Sequence, residues 1–145
     1  MAFQFPLATV LRVRESVEKR EERALQKIQF EIVRVLRDLE DLNAAIAHAH
    51  QEREQALLRS IPAGHLHTFQ WEAQTALEKQ KALHHQLRNL EQERDQQIKV
   101  YRAALRDREM LTDMLDKQRA AYDQEQARTE QKNLDDVFTA RRHRS

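Results

Sequence analysis

No cysteine occurs in this 145-residue chain. That excludes a disulfide framework and a thiol nucleophile, and it accords with a cytosolic setting. Glycine appears once and proline twice, so a fold with many tight reversals is not expected. Aromatic residues make up 6% of the chain, too few for a wide aromatic core. No apolar run approaches the roughly 20 residues needed to cross a bilayer. Met1 to Leu11 lacks the basic start and long apolar region of a signal peptide. The formal net charge is +1, which excludes the charge excess of a protein that coats nucleic acid. What remains is 34% charged and dominated by Ala, Glu, Lys, Leu, Arg and Gln, the composition of long helices and coiled coils.

The chain is organised around Phe69 to Tyr122. Alternating steps of four and three land on Phe69, Ala73, Ala76, Gln80, Leu83, Leu87, Leu90, Arg94, Gln97, Tyr101, Ala104, Arg108, Leu111, Leu115, Gln118 and Tyr122. Most are apolar, and nearly everything between them is polar. An apolar stripe of this period stays on one side of a helix only if the helix supercoils against a partner. A helix so polar elsewhere is not stable alone, so that partner must be the rest of the chain or another copy.

The rest of the chain supplies one. Phe3 and Phe5 flank Gln4 in a short extended lead, and Pro6 suits a first helical turn. Helix 1 is expected over about 6–58. Its first stripe is Leu7, Val10, Leu11, Val17 and Ala24; a phase shift resembling a stutter follows, and Leu25, Ile28, Ile32, Val35, Leu39, Leu42, Ile46 and Ala49 continue it. Pro62 and Gly64 mark a turn over about 60–67, beginning at Ser60. Thr68 is the expected N-cap of helix 2, which spans about 68–138, with a basic end at 139–145. The expected fold is therefore all-α: a single antiparallel two-helix coiled-coil hairpin, helix 2 longer than helix 1. Folding at about Ala63 sets Val35 against Leu90, Leu39 against Leu87, Ile46 against Leu83, Ile28 against Ile98 and Leu11 near Leu115. Everything after about Ala121 then overhangs helix 1, carrying Leu134, Val137 and Phe138 with nothing to cover them.

Catalytic chemistry has no support in these residues. Ser and Thr are few, there is no Gly-rich phosphate loop, and carboxylates on a hairpin have no cleft to separate their pKa values. His48, His50, His65, His67, His84 and His85 gather near the turn, but His48 and His50 point to different sides of a helix, so exposed polar residues are expected rather than a metal site. Trp71 falls off the seam and is expected to fold over Ile61 and Leu66, the alternative being an exposed binding anchor. Arg94, Gln97 and Arg108 occupy seam positions, where polar residues fix register at a cost in stability.

The two ends of the chain resemble a known family. Phe3, Gln4, Phe5, Pro6 and Leu7, followed by Val10, Leu11, Arg12, Val13, Arg14 and Glu15, look like the start of the flagellar export protein FliJ. Gln131 to Asn133, Leu134, Asp135, Asp136, Val137 and Phe138, followed by Arg141 and Arg142, are similar to the end of that family. The resemblance implies a stalk-like coiled coil, like the gamma subunit of rotary ATPases, in flagellar type III export. Such a protein inserts the end carrying both termini into the hexameric export ATPase ring and promotes its assembly and activity. It also contacts the cytoplasmic domain of the membrane export gate and handles export chaperones, on the cytoplasmic face of the inner membrane at the flagellar base. Carried onto this chain, the ring-binding residues are Leu7, Val10, Leu11, Arg14, Leu134, Val137, Phe138, Arg141 and Arg142, with Arg12 beside them. The gate-binding positions are Leu77, Gln80 and His84, although Gln80 stands where a small apolar residue is more familiar. No catalytic residue, cofactor, metal, small-molecule ligand or nucleic acid is implied. The stalk of a virulence secretion system and a structural coiled-coil scaffold are the alternative readings.

Overall fold

The computed structural model describes residues 2–59 and 61–144. Ser60, where the turn is expected to begin, and the terminal Met1 and Ser145 lie outside the described residues. The chain is an antiparallel two-helix hairpin whose second helix is the longer. Helix α1 runs Ala8–Leu57 (50 residues) and α2 runs Ala63–Arg144 (82 residues). Of the sixteen seam positions between Phe69 and Tyr122, only Gln118 is exposed.

The hairpin comprises two compact units, Glu21–Val100 and Met1–Arg20 with Tyr101–Ser145. In the first, Ile32, Val35 and Leu39 of α1 bury against Leu90 of α2, with Ile28, Leu83 and Leu87 packed around them. These are residues that the 3.5-residue period selects from both helices. Polar seam positions find partners across the pair. Gln80 Nε2 donates to Asn43 Oδ1 at 2.8 Å, and Gln97 Nε2 donates to Glu21 O at 3.0 Å and to Glu21 Oε2 at 2.7 Å. These bonds centre the reversal nearer Ile61 than Ala63. Arg94 turns its guanidinium outward to the adjacent Asp95, 3.3 Å away.

The turn is tighter than its residues suggest. The last turn of α1 narrows, with the Arg59 N–H donating to Ala56 O at 3.1 Å. Pro62 disfavours a helical Ile61, and its carbonyl accepts the His65 N–H at 3.0 Å to start α2. The helix therefore begins at Ala63, and Thr68 is not its N-cap. The Thr68 hydroxyl instead donates back to Gly64 O at 3.2 Å from inside the helix. Gly64 sits in the first turn of α2 without positive φ, and a Cβ there would meet nothing within 4 Å. Its freedom is thus spent without structural need. Gly64→Ala is expected to raise stability by about 0.5–1 kcal/mol, through helix propensity and a less disordered unfolded chain. Urea denaturation monitored by circular dichroism checks this.

In the second unit Phe5 and Leu11 are buried, and so is Ala104 of α2. The aromatic lead folds back: Phe3 and Tyr122 have ring centroids 5.4 Å apart, and the Arg119 guanidinium lies 5.9 Å from the Phe3 ring centre. Arg108 makes a two-pronged bond to Glu18, from Nε to Oε2 at 2.7 Å and from its second terminal nitrogen to Oε1 at 3.3 Å. The hydrogen bond that Arg108 donates to Glu18 holds the Arg108 pKa above its ordinary value; partial desolvation opposes this and the Glu18 charge adds to it. Val17 and Ala24 of the expected stripe are half-buried, and so are the neighbouring Glu18 and Leu25. Glu21 is half-buried as well.

Candidate interaction surfaces

Two regions carry side chains that the hairpin does not use. The first is the end bearing both termini. From Asp123 to Arg144 every residue of α2 is exposed. Its helical form rests on local terms. The Thr129 hydroxyl donates to Glu125 O, Gln131 Nε2 donates to Asp135 Oδ1 at 3.1 Å, and Arg141, Arg142, His143 and Arg144 complement the helix dipole in the last turn. Leu134, Val137 and Phe138 fall on one face at i, i+3 and i+4, with Arg141 continuing that face. Phe138 is 70% exposed. Nothing among the described residues buries this apolar face.

Leu7, just before α1, is half-buried, while Val10, Arg12 and Arg14 of α1 are exposed. Arg14 reaches Asp107 at 3.3 Å. Leu11 departs from expectation. It is buried against α2, so it can hold its neighbours in place but has little surface for a partner. Sequence reasoning also missed three residues. Val13, Met110 and Met114 are exposed apolar side chains, and the antiparallel register sets Met114 and Met110 level with Val10 and Val13. The signal was present in the heptads, because these residues flank the seam on its outer side, where a solvated coiled coil carries charge.

The second region lies toward the turn. Leu77 and His84 are exposed one heptad apart, and Gln80 between them is half-buried in its bond to Asn43. Nearer the turn opens a groove of about 510 Å³, lined chiefly by Leu42, Ile46, Ala49, Phe69, Ala73 and Ala76. It exists because alanines occupy seam positions where leucines would meet. Arg53 also borders it, with its Nε buried and unbonded among the described residues. Trp71 does not fold over the turn: it is 68% exposed, and Leu66 is exposed as well. Both lie on helical turns of α2, because the helix starts earlier than expected and leaves no loop for the indole to cover. His48 and His50 each pair with a carboxylate four residues on, Glu52 and Glu54, at 3.1 Å.

Both regions present apolar side chains that the hairpin leaves exposed, Val137 and Phe138 in the first, Trp71 and Leu77 in the second. A family model described as Flagellar FliJ protein matches residues 3–145. No curated protein and no solved structure matches the chain.

Proposed function

The chain belongs to the flagellar FliJ family, a non-catalytic component of flagellar type III protein export, and from that premise we propose that it acts as a stalk for the export ATPase. In this reading the end carrying both termini enters the hexameric ATPase ring. Leu134, Val137 and Phe138 fill apolar sites on the ring lining, together with Leu7 and Val10 of α1. Arg14, Arg141 and Arg142 meet carboxylates there, which gives orientation and on-rate more than raw affinity. Leu11 supports these contacts from within the hairpin. Val13, Met110 and Met114 extend the surface. The protein stimulates ring assembly and ATP turnover without hydrolysing ATP itself.

The observation that carries the reading is the uncovered helix 123–144 with its single apolar face. A helix end without tertiary contacts is only marginally stable. Its backbone hydrogen bonds therefore open readily in the free protein. Hydrogen exchange is expected to slow by about tenfold or more over 123–144 when the export ATPase is added. Unchanged exchange there, with a complex formed, would remove these residues from the interface.

The same proposal assigns the second region to the cytoplasmic domain of the membrane export gate. Leu77 and His84 are exposed one heptad apart on α2 with Gln80 between them, and a concave apolar groove, the shape that a docked segment needs, opens nearby around Ala73 and Ala76. Escort of export chaperones, and residence on the cytoplasmic face of the inner membrane at the flagellar base, complete the proposed role. Among the described residues no helix is long and apolar enough to cross a membrane.

A further inference from the structure

We infer that the outer face of α1 between Arg23 and Arg37 is a docking surface for an anionic phospholipid bilayer. The positions of α1 that point away from α2 over this stretch are Arg23, Gln26, Lys27, Phe30, Val33, Arg34 and Arg37. They form one arc of the helix, spaced by threes and fours. Four are cationic and none is acidic; Glu22, Glu31 and Asp38 lie on the borders, and Glu40 and Asp41 end the run. Among the described residues, Arg23, Lys27, Arg34 and Arg37 have no ion pair. At the centre of the cations stand two apolar side chains, Phe30, 72% exposed, and Val33.

This pattern is unusual for a chain whose charges nearly cancel. A solvated coiled-coil face interleaves both signs, so a stretch of several turns with one sign points to a partner of the other. The face is convex and belongs to one helix, with no cavity on it. Two apolar side chains give too small a seam for a stable protein interface, which buries about 1,000 Å² or more. A bilayer asks for neither concavity nor matched shape. Basic side chains reach the phosphates while an aromatic ring settles at the headgroup boundary. Three of the four cations are arginines, whose forked donors suit phosphate oxygens.

The test is sedimentation of the full chain with vesicles of phosphatidylglycerol and phosphatidylcholine, and with vesicles of phosphatidylcholine alone. Binding is expected only to the anionic vesicles and should weaken with salt. Arg34→Glu with Arg37→Glu should weaken it by about tenfold or more, while Lys79→Glu with Lys81→Glu, the same charge change on exposed positions of α2, should leave it within about twofold. A Phe30→Trp, Trp71→Phe chain should show a blue-shifted emission with anionic vesicles. Equal loss from both charge reversals, equal binding to neutral vesicles, no binding at all, or tighter binding to a short RNA than to the vesicles would overturn the assignment.

Discussion

Leu90→Ala is expected to destabilise the hairpin by about 2–4 kcal/mol, the cost of lost burial plus an unfilled gap. Leu90 is 7% exposed and is the one buried α2 residue in the cluster with Ile32, Val35 and Leu39. A two-helix hairpin has no second layer to close over a cavity, and the cluster holds much of the buried apolar surface of its unit. A domain of this size has about 5–15 kcal/mol of stability in all, so the loss should show as a large drop in the denaturation midpoint. Leu134→Ala is the control. The same side chain is removed from a position packed on nothing, and stability should change by no more than about 0.5 kcal/mol. Equal effects at the two sites would mean that the overhang is packed in solution and that the hairpin core is not where the seam places it.

The second large effect is on binding. Leu134→Asp with Phe138→Asp should leave the melting curve unchanged, because both side chains are exposed, and should reduce affinity for the export ATPase by about a hundredfold or more. Buried anchors at the centre of an interface each contribute about 2 kcal/mol or more when removed, and a buried unpaired carboxylate adds a penalty. Titration calorimetry or interferometry with the ATPase measures this. The comparison with Leu90→Ala separates the two roles of apolar residues in this chain, since one substitution breaks the fold and spares the binding face, and the other does the reverse.

Much of this was legible before any coordinates. The seam of α2 could be read position by position, because a coiled coil repeats one geometric demand many times and a single exception such as Gln118 hardly blurs it. The overhang followed from comparing the two helix lengths. The start of α2 was misplaced because Gly64 was read as a loop residue, whereas one glycine costs a helix only about 1 kcal/mol, and the helix begins at Ala63, directly after Pro62. Around the expected phase shift in α1, hydropathy picked out Val17 and Ala24, which are half-buried, and passed over Glu18 and Glu21, which are half-buried too. The carboxylates are tolerated at the seam because Arg108 and Gln97 stand across from them, and that pairing appears only once both helices are in register. Of the interaction surfaces, Leu134, Val137 and Phe138 were visible as an apolar group without a partner. Leu11 was read both as a seam residue near Leu115 and as a ring contact, and its burial fits the seam role. Val13, Met110 and Met114 were missed because attention went to the seam, and they flank it on the exposed side.

The most direct measurement is ATP hydrolysis by the purified export ATPase, alone, with the full chain, and with a chain ending at Gln131. The account predicts that the full chain raises turnover, and that the shortened chain, folded to the same melting temperature, does not. No stimulation by the full chain and no complex between the two proteins would contradict the stalk reading. Equal stimulation by both chains would place the working surface on the hairpin rather than on its overhang.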